Sequence, residues 1–204
     1  KIKTEKNTAV NIDEKKLSEL RAIISEYTDI SGRRLSHTLS VEKECGVLAE
    51  IFGLCGNDRR RLCAAALLHD ITKEKTLDEQ LALCRHYDID YPHETERSPK
   101  VFHGWTASAV MRDKYAEYCD EEMCSAVFVH TTGREDMTLF ESLLYLADYI
   151  EPWRNKATNL PAIREAAFQD LDKALYMVLH DTLQYLETIH AEVDSTTQQA
   201  YEFY

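Results

Sequence analysis

The stretch Ala64-Ala65-Ala66-Leu67-Leu68-His69-Asp70-Ile71-Thr72-Lys73 decides how the rest of the chain is arranged. Its first five residues form an apolar run that must be buried, so they carry the adjacent histidine and aspartate to the edge of the core. An adjacent His-Asp pair is weak evidence on its own, because a solvated aspartate at a helix C-terminus explains it equally simply. The interpretation therefore depends on the neighbouring segments.

Four further residues with metal-binding side chains each lie beside an apolar helical stripe. They are His37, His103, His130 and Asp148. Taken alone, His37 would be a partly buried structural histidine. An isolated buried Asp or His tends to become neutral, whereas a bound metal keeps Asp charged and His neutral. We interpret these four residues, together with His69 and Asp70, as a metal centre, and we expect this centre to hold two ions.

The ligand set also limits the metal and the reaction. Four imidazoles and two carboxylates favour iron, manganese or zinc over calcium or copper(I). No cysteine is among them, which disfavours a closed structural zinc site. Two divalent ions sharing Asp70 would activate water for in-line attack on phosphorus. We therefore expect hydrolysis of a phosphate ester or a phosphoanhydride, with iron as the preferred metal.

Length and composition predict a single all-α domain. At 204 residues the chain fits one domain, which at this size buries roughly 70% of the surface of the unfolded chain. Only 6 Gly and 4 Pro occur, so hairpins and glycine-rich phosphate loops have few places to form. Residues 1–12 are polar and are predicted to be disordered, and residues 13–204 are predicted to form one helical bundle.

Charge and cysteine content exclude several classes of protein. A net charge of −12 with a pI near 5.1 disfavours binding to a nucleic-acid polymer, which rests on Lys and Arg. A phosphate-bearing substrate would then depend on bound cations. The 6 cysteines form no C-x-x-C pair and suit free thiols in a reducing cytoplasm. We find no signal peptide and no apolar run of about 20 residues, so we expect a cytoplasmic protein without a membrane segment.

Capping residues and periodicity predict where the helices begin. Asn57-Asp58 is predicted to cap the helix that leads to the His-Asp pair, and Thr76 with Glu79 forms the pattern of a capping box. Ser98-Pro99 is predicted to open the helix of His103, with proline in its first turn. From Leu160 to about Ala191, one continuous apolar stripe predicts helical packing residues without further chemistry.

The longest irregular segment runs from residue 86 to residue 99. A loop of this length beside a site can act as a lid or a substrate rim.

Gly104, next to His103, is predicted to permit close approach of another backbone.

The candidate ligands resemble a known family. His37, His69-Asp70 and Asp148 resemble the H…HD…D signature of the HD-domain phosphohydrolases, and the interposed His103 and His130 resemble the subgroup with two metals. Two strings narrow the resemblance, namely HTTGR at residues 130–134 and ADYIEPWR at residues 147–154. They resemble the bacterial YqeK group, which cleaves diadenosine tetraphosphate symmetrically to two ADP. The match runs from about Leu17 to the C-terminus.

The resemblance implies roles for individual residues. It assigns metal ligation to all six candidate ligands, and it places Lys73 against the substrate phosphates, although Lys73 could also be an ordinary solvated lysine. Asp70 and Lys73 are the candidate catalytic residues. A guanidinium grips phosphate with two hydrogen bonds, but it can also pair with a surface acid. The further candidate substrate contacts are Thr131, Thr132, Arg134, Tyr149 and Arg154.

Two other functions remain open at this point. Another HD-type phosphohydrolase, acting on a nucleotide monophosphate, a cyclic dinucleotide or a guanosine alarmone, would present phosphate to the same metals. A metal-binding regulatory module without catalysis is the alternative from another class, and the intact ligands and Lys73 count against it. We expect a small-molecule nucleotide as the partner, and we leave a homodimer open.

Overall fold

A computed structural model describes residues 9–27, 30–155, 157 and 159–204, except for the side chain of Glu94. Within these residues the chain is helical and contains no strand, which confirms the predicted all-α class. The α-helices are α1 (Glu14–Glu26), α2 (Gly32–Ile51), α3 (Gly56–Leu68), α4 (Leu77–His86), α5 (Phe102–Lys114), α6 (Glu121–Val129), α7 (Leu139–Ile150), α8 (Leu160–Ala167), α9 (Leu171–Thr188) and α10 (Ser195–Phe203). A short 3-10 helix, His93–Arg97, lies between α4 and α5.

Helices α3 and α7 lie at the centre of the bundle. Every residue of α3 from Arg61 to Leu68 is buried, and α7 is buried over most of its surface. Helix α2 packs against both of them, and α6 packs against α3, α5 and α7. The small side chains of Ala64, Ala65 and Ala66 suit a helix that is surrounded on several sides. The central apolar run thus brings the His-Asp pair to the end of a buried helix, as predicted.

The start of the described chain is ordered, contrary to the prediction of disorder through residue 12. The Val10 amide donates to the Asp120 carboxylate (2.9 Å), and the Ile12 amide donates to the side-chain oxygen of Asn57 (2.8 Å). Ile12 is fully buried. Asn57 therefore anchors this segment rather than capping α3, which begins one residue earlier at Gly56. Residues 1–8 lie outside the described residues.

The predicted start of α4 is confirmed, and α6 begins with a cap of its own. Thr76 and Glu79 form a complete capping box at α4, and the Asp120 side chain accepts from the Met123 amide at the start of α6. Each cap satisfies backbone donors that have no partner inside the helix.

The predicted start of α5 is wrong by several residues. The Ser98 hydroxyl donates to the Glu192 carbonyl (2.9 Å) instead of capping a helix, and the chain turns once more before α5 begins at Phe102. The long C-terminal stripe is also two helices rather than one. It breaks after Ala167, and Asp170 caps α9 by accepting from the Lys173 amide.

The segment between α4 and α5 covers a second, smaller apolar cluster. Its buried residues include Cys84, Phe102 and Trp105, and the Tyr91 ring meets the Phe102 ring edge to face at 4.9 Å. This cluster lies beside the main core and supports the side of the bundle that carries His103. In the part of the chain described here, we find no helix both long and apolar enough to cross a bilayer.

Candidate metal centre

The His-Asp pair lies in the turn that ends α3. His69 is the C-terminal cap of the helix, and its side chain is fully buried. The next turn closes through a hydrogen bond from the Lys73 amide to the Asp70 carbonyl (3.0 Å). Asp70 and Lys73 therefore belong to one tight turn at the edge of the core.

One carboxylate oxygen of Asp70 faces two histidines from α2 and α3. Asp70 Oδ2 lies 3.6 Å from His37 Nε2 and 3.4 Å from His69 Nε2. On the same side, Asp148 Oδ1, from α7, lies 3.0 Å from His37 Nε2 and 3.9 Å from His69 Nε2. These two imidazoles and two carboxylates form one half of the cluster.

The other carboxylate oxygen of Asp70 faces the remaining two histidines. Asp70 Oδ1 lies 3.2 Å from His103 Nε2 and 3.5 Å from His130 Nε2, and these two nitrogens are 3.1 Å apart. Asp70 therefore separates two groups of ligand atoms and presents one oxygen to each. We call the six side chains together the metal centre.

Hydrogen bonds at the outer nitrogens orient three of the imidazoles. Nδ1 of His69 lies 2.6 Å from the Ala66 carbonyl, and Nδ1 of His130 lies 2.6 Å from the Val127 carbonyl. Nδ1 of His37 lies 3.2 Å from a carboxylate oxygen of the buried Glu151. Such contacts place the proton on Nδ1 and leave Nε2 free for a metal.

The centre contains buried polar atoms without a hydrogen bond, and this observation tests its fitness for a metal. These atoms include His37 Nε2, His69 Nε2 and Asp70 Oδ1. A buried donor or acceptor left unpaired costs roughly 1 to 3 kcal/mol. All three atoms point to places where a cation would satisfy them, and groups of three ligand atoms lie within 4.8 Å of one another. The residues therefore fit a divalent metal.

Three positively charged side chains surround the carboxylates. Lys73 Nζ lies 2.8 Å from His103 Nε2, and Arg154 Nη2 lies 3.1 Å from Asp148 Oδ1. Arg34 Nη1 donates to Asp70 Oδ2 at 2.5 Å. These three cations face the two carboxylates of the metal centre.

The two carboxylates and His103 favour the charge states that metal ligation requires, whereas the pKa of His69 is raised because Asp70 outweighs the effect of burial. Burial alone would raise the pKa of Asp70, but His69 and Lys73 outweigh it and hold that pKa well below its usual range. Burial likewise opposes ionisation of Asp148, and Arg154 holds its pKa well below the usual range. Burial and the nearby Lys73 lower the pKa of His103 to about 3. Charged carboxylates and a neutral imidazole are the ligating forms.

Close contact between α5 and α6 brings His103 to His130. A Cβ atom on Gly104 would lie 2.9 Å from the Phe128 carbonyl oxygen and 3.2 Å from that of Val127. Real Cβ atoms do not approach a backbone oxygen so closely, so a larger residue would push the helices apart. The predicted close approach at Gly104 is confirmed.

A buried hydrogen-bond network fixes the turn of Asp70 and Lys73 to α4 and α5. The Thr72 hydroxyl donates to the His103 carbonyl (3.1 Å) and lies 2.8 Å from the Thr106 hydroxyl. The Gln80 side-chain oxygen lies 2.6 Å from the Thr106 hydroxyl, and its amide donates to the Thr72 carbonyl (2.6 Å). The network ties the position of Lys73 to that of His103.

Two of the predicted substrate contacts lie together beside the centre. The Arg154 guanidinium lies over the Tyr149 ring, 5.4 Å from its centroid. Arg164 braces the turn that carries Arg154, because it donates to the carbonyls of Ile150 (2.8 Å), Glu151 (2.9 Å) and Arg154 (2.9 Å). Arg154 is therefore held at Asp148 by its own ion pair and by a fixed backbone.

Three other predicted contacts point elsewhere. Arg134 pairs with the buried Glu141 through Nε (2.9 Å) and Nη2 (2.8 Å), so its guanidinium serves the start of α7. The buried Thr132 donates its hydroxyl to the Gly133 carbonyl (2.9 Å). The Thr131 hydroxyl donates to the Val101 carbonyl (3.4 Å). In this structure, the side chains of all three satisfy the protein's own backbone or acids.

Sequence reasoning missed two residues that contact the metal centre, Arg34 and Glu151. Arg34 lies three residues before His37 on α2, and positions i and i+3 share a helix face. That spacing was the available signal. Glu151 lies within the ADYIEPWR string, but only the fold brings its carboxylate to His37.

Comparison with known proteins identifies the class. The HD domain family matches residues 34–153, which include all of α3. His37, His69, Asp70, His103, His130 and Asp148 in fact all fall within this range. The chain therefore belongs to the HD-domain family, whose members bind divalent metals.

The most informative relatives narrow the class further. The chain is 33% identical over 156 residues to the symmetrical bis(5′-nucleosyl)-tetraphosphatase of Staphylococcus aureus, covering 76% of this chain and 77% of that protein. It is 31% identical over 158 residues to the enzyme of the same name from Bacillus subtilis, covering 77% and 81%. Within the HD-domain family, the chain thus belongs to the YqeK group, as its motifs indicated.

A solved structure supports the same fold. The crystal structure of a predicted HD superfamily hydrolase involved in NAD metabolism, from Clostridium acetobutylicum, superposes with a TM-score of 0.82. It is 26% identical in sequence, and the match covers 95% of this chain and 97% of that one. The helical architecture described above is therefore shared over almost the full length of both chains.

Proposed function

We propose that this chain is a metal-dependent hydrolase that cleaves diadenosine tetraphosphate symmetrically into two ADP. The observation that carries the proposal is Asp70, whose two carboxylate oxygens each face a separate pair of histidines. Two relatives that are at least 31% identical carry the name of this activity. A mononucleotide, a cyclic dinucleotide and an alarmone are the competing substrates.

The metal centre suits two divalent transition-metal ions. His37, His69, Asp70 and Asp148 would hold one ion, and Asp70, His103 and His130 the other. We infer iron, with manganese and zinc as alternatives, from four imidazoles and two carboxylates. When bound, such ions stabilise charge on phosphoryl oxygens and lower the pKa of a water. The imidazole tautomers fixed by Ala66, Val127 and Glu151 keep the ligand nitrogens aimed inward.

The surrounding cations would bind and orient the phosphates. Lys73 Nζ lies 2.8 Å from His103 Nε2. Its ammonium group would therefore lie beside a phosphoryl group bound at the metal centre. Arg154 would exchange part of its pairing with Asp148 for a phosphate, and Tyr149 beneath it would contact the nucleoside. Arg34 adds a buried Nε for which we find no hydrogen-bond partner among the described residues. A phosphate oxygen would satisfy that donor.

The products of hydrolysis in ¹⁸O-labelled water test the proposal. The purified protein, supplied with Fe²⁺, Mn²⁺ or Zn²⁺, should convert diadenosine tetraphosphate into two ADP, with label on the β-phosphate of one of them. A panel of nucleotide monophosphates, cyclic dinucleotides and guanosine alarmones serves as the comparison. AMP and ATP as first products, or faster turnover of a panel member, would contradict the proposed reaction.

A further inference from the structure

A cavity of about 180 Å³ opens beside the metal centre on the side of Asp70 Oδ1. It is lined by Lys73, Lys75, Leu77, Gln80, Pro99, Lys100 and His103. We call it the lysine pocket. Its volume is about ten times the roughly 10 to 15 Å³ that one water needs. His103 belongs both to its wall and to the metal centre, and Lys73 in the same wall contacts His103, so a group bound there would lie next to the metal centre.

The charge of the lysine pocket is opposite to that of the whole protein. Three of its seven lining residues are lysines and none is acidic, although the chain carries a net charge of −12. A concave site lined by one sign of charge concentrates ligands of the other sign. Lysine binds phosphate as a compact point charge. The pocket therefore fits an anion with several phosphate oxygens.

Positively charged side chains lie on both sides of the metal centre, and Asp70 separates the two sides. Arg154 and Arg34 lie with Asp148 and Asp70 Oδ2, whereas Lys73 lies with His103 and Asp70 Oδ1. A dinucleoside tetraphosphate has two equal halves that must leave the point of cleavage in different directions. The positively charged side chains on one side of Asp70 would bind the phosphates of only one of these halves.

We propose that the lysine pocket binds the phosphates of the second nucleoside diphosphate, opposite the half held by Arg154 and Tyr149. This inference rests on the proposed function and adds a second product subsite to it. Lys75 and Lys100 are its specificity-determining residues, since a substrate with a single nucleotide would leave them without a phosphate. They bind the half of the substrate that a mononucleotide lacks.

A neighbouring cavity has room for the nucleoside of this half. It measures about 380 Å³ and is lined by Leu77, His93, Glu96 and Arg97, so the two cavities share Leu77. Small-molecule sites commonly measure roughly 300 to 1,000 Å³. The 3-10 helix between α4 and α5 forms its wall, and this segment is tied to the chain near Glu192 by the Ser98 hydroxyl (2.9 Å).

A charge-reversal pair tests the lysine pocket without touching the metal centre. The test variant is Lys75→Glu/Lys100→Glu. The matched control is Lys43→Glu/Lys114→Glu, which changes the net charge equally at exposed positions on α2 and α5. Thermal melting of both variants first establishes that they are folded. The metal-loaded proteins are then titrated with ADP by calorimetry and assayed with diadenosine tetraphosphate.

The expected results differ between the two variants. Wild type and control should bind two ADP per chain, and the test variant should bind one. The KM for diadenosine tetraphosphate should rise by about tenfold or more in the test variant only, because two charge-assisted contacts are lost. One ADP per chain in wild type, or equal KM values in both variants, would overturn the inference.

The same experiment separates failure of the inference from failure of the proposed function. If wild type does not cleave diadenosine tetraphosphate, the proposed function fails whatever the lysines do. If wild type cleaves it and the test variant matches the control, the proposed function stands and only the lysine pocket is rejected.

Discussion

The chain contains two clusters of charged side chains, each around a buried residue, and they differ in whether their hydrogen bonds are complete. In the first, which we call the Arg61 cluster, the Arg61 guanidinium pairs with Asp58 (2.8 Å), Asp120 (2.8 Å) and Glu122 (2.7 Å), and it lies over the Phe140 ring. In the second, the metal centre, buried nitrogens and a carboxylate oxygen lack partners. A satisfied cluster ties elements together, whereas an unsatisfied one has room for a ligand.

The difference also appears in what each cluster connects. The Arg61 cluster joins α3 to the start of α6, and through Asp120 it holds the Val10 amide. The metal centre collects ligands from α2, from α5, from α7 and from the ends of α3 and α6. We expect loss of the first to reduce stability and loss of the second to reduce function. Substitutions at three positions and one pH dependence test this expectation.

The largest effect should follow substitution of Asp70. Asp70→Ala should abolish turnover and lower the metal content, since the carboxylate presents an oxygen to each half of the centre. Elemental analysis after purification without chelators, together with an activity assay, measures both effects. Asp70→Asn, which keeps the shape of the side chain, separates the loss of charge from a loss of packing. Full metal content with normal turnover in either variant would contradict a bridging role.

Substitution in the Arg61 cluster should reduce stability instead. Asp120→Ala removes one of the three acidic partners of the buried Arg61 and should lower the free energy of unfolding by about 3 kcal/mol, the low end for a broken buried pair, because Asp58 and Glu122 still pair with Arg61. Metal content and turnover per folded molecule should not change. Urea denaturation gives the free energy, and Asp90→Ala, at an exposed position, is the control. A loss of bound metal in Asp120→Ala would show that the two clusters are coupled.

Lys73 should affect the rate without affecting metal content. Lys73→Ala removes a cation next to the reacting phosphoryl group, and stabilisation of this kind is commonly worth about 2.7 to 4 kcal/mol, or roughly 10² to 10³ in rate. Lys43→Ala, an exposed lysine on α2, is the matched control. Turnover equal to that of the control would remove Lys73 from the mechanism.

The smallest expected effect is the pH dependence of the Arg61 cluster. Burial opposes ionisation of Asp120, but its bonds from Arg61, Val10 and Met123 outweigh burial and lower its pKa in the folded protein. The stabilisation is therefore present above the unfolded pKa of about 3.9 and is lost as the pH falls through the folded value. The stability difference between wild type and Asp120→Asn, measured by urea denaturation, should shrink below about pH 4. A difference that grows on acidification would reverse the assigned sign.

Local signals in the sequence predicted most of the fold. The capping box of Thr76 and Glu79 acts within one turn, so it could be read directly from the sequence, and it is confirmed. Ser98-Pro99 misled because the serine hydroxyl binds Glu192, which is distant in sequence. Asn57 misled for the same reason, since it binds the segment at residues 10–12. The errors arise where a capping residue has a better partner elsewhere in the fold.

The candidate site was predictable to the extent that its residues lie beside apolar stripes. The structure brings the six proposed ligands together, and their role in binding metal stays a prediction. Arg134 shows the limit, because nothing in its local sequence indicates that Glu141 would take its guanidinium. Glu151 shows the opposite case. It contacts His37 only because α2 packs against α7, which its local sequence does not indicate. A cytoplasmic location and a homodimer also stay predictions.

Gly104 has a consequence for the choice of ion. A side chain at this position would meet the Phe128 and Val127 carbonyls, so Gly104 permits the close packing of α5 and α6 and thus the 3.1 Å between Nε2 of His103 and Nε2 of His130. Bonds from nitrogen to zinc measure about 2.0 to 2.1 Å, whereas calcium ligands lie at about 2.3 to 2.6 Å. We therefore expect the absence of a side chain at Gly104 to favour cations of small radius at His103 and His130.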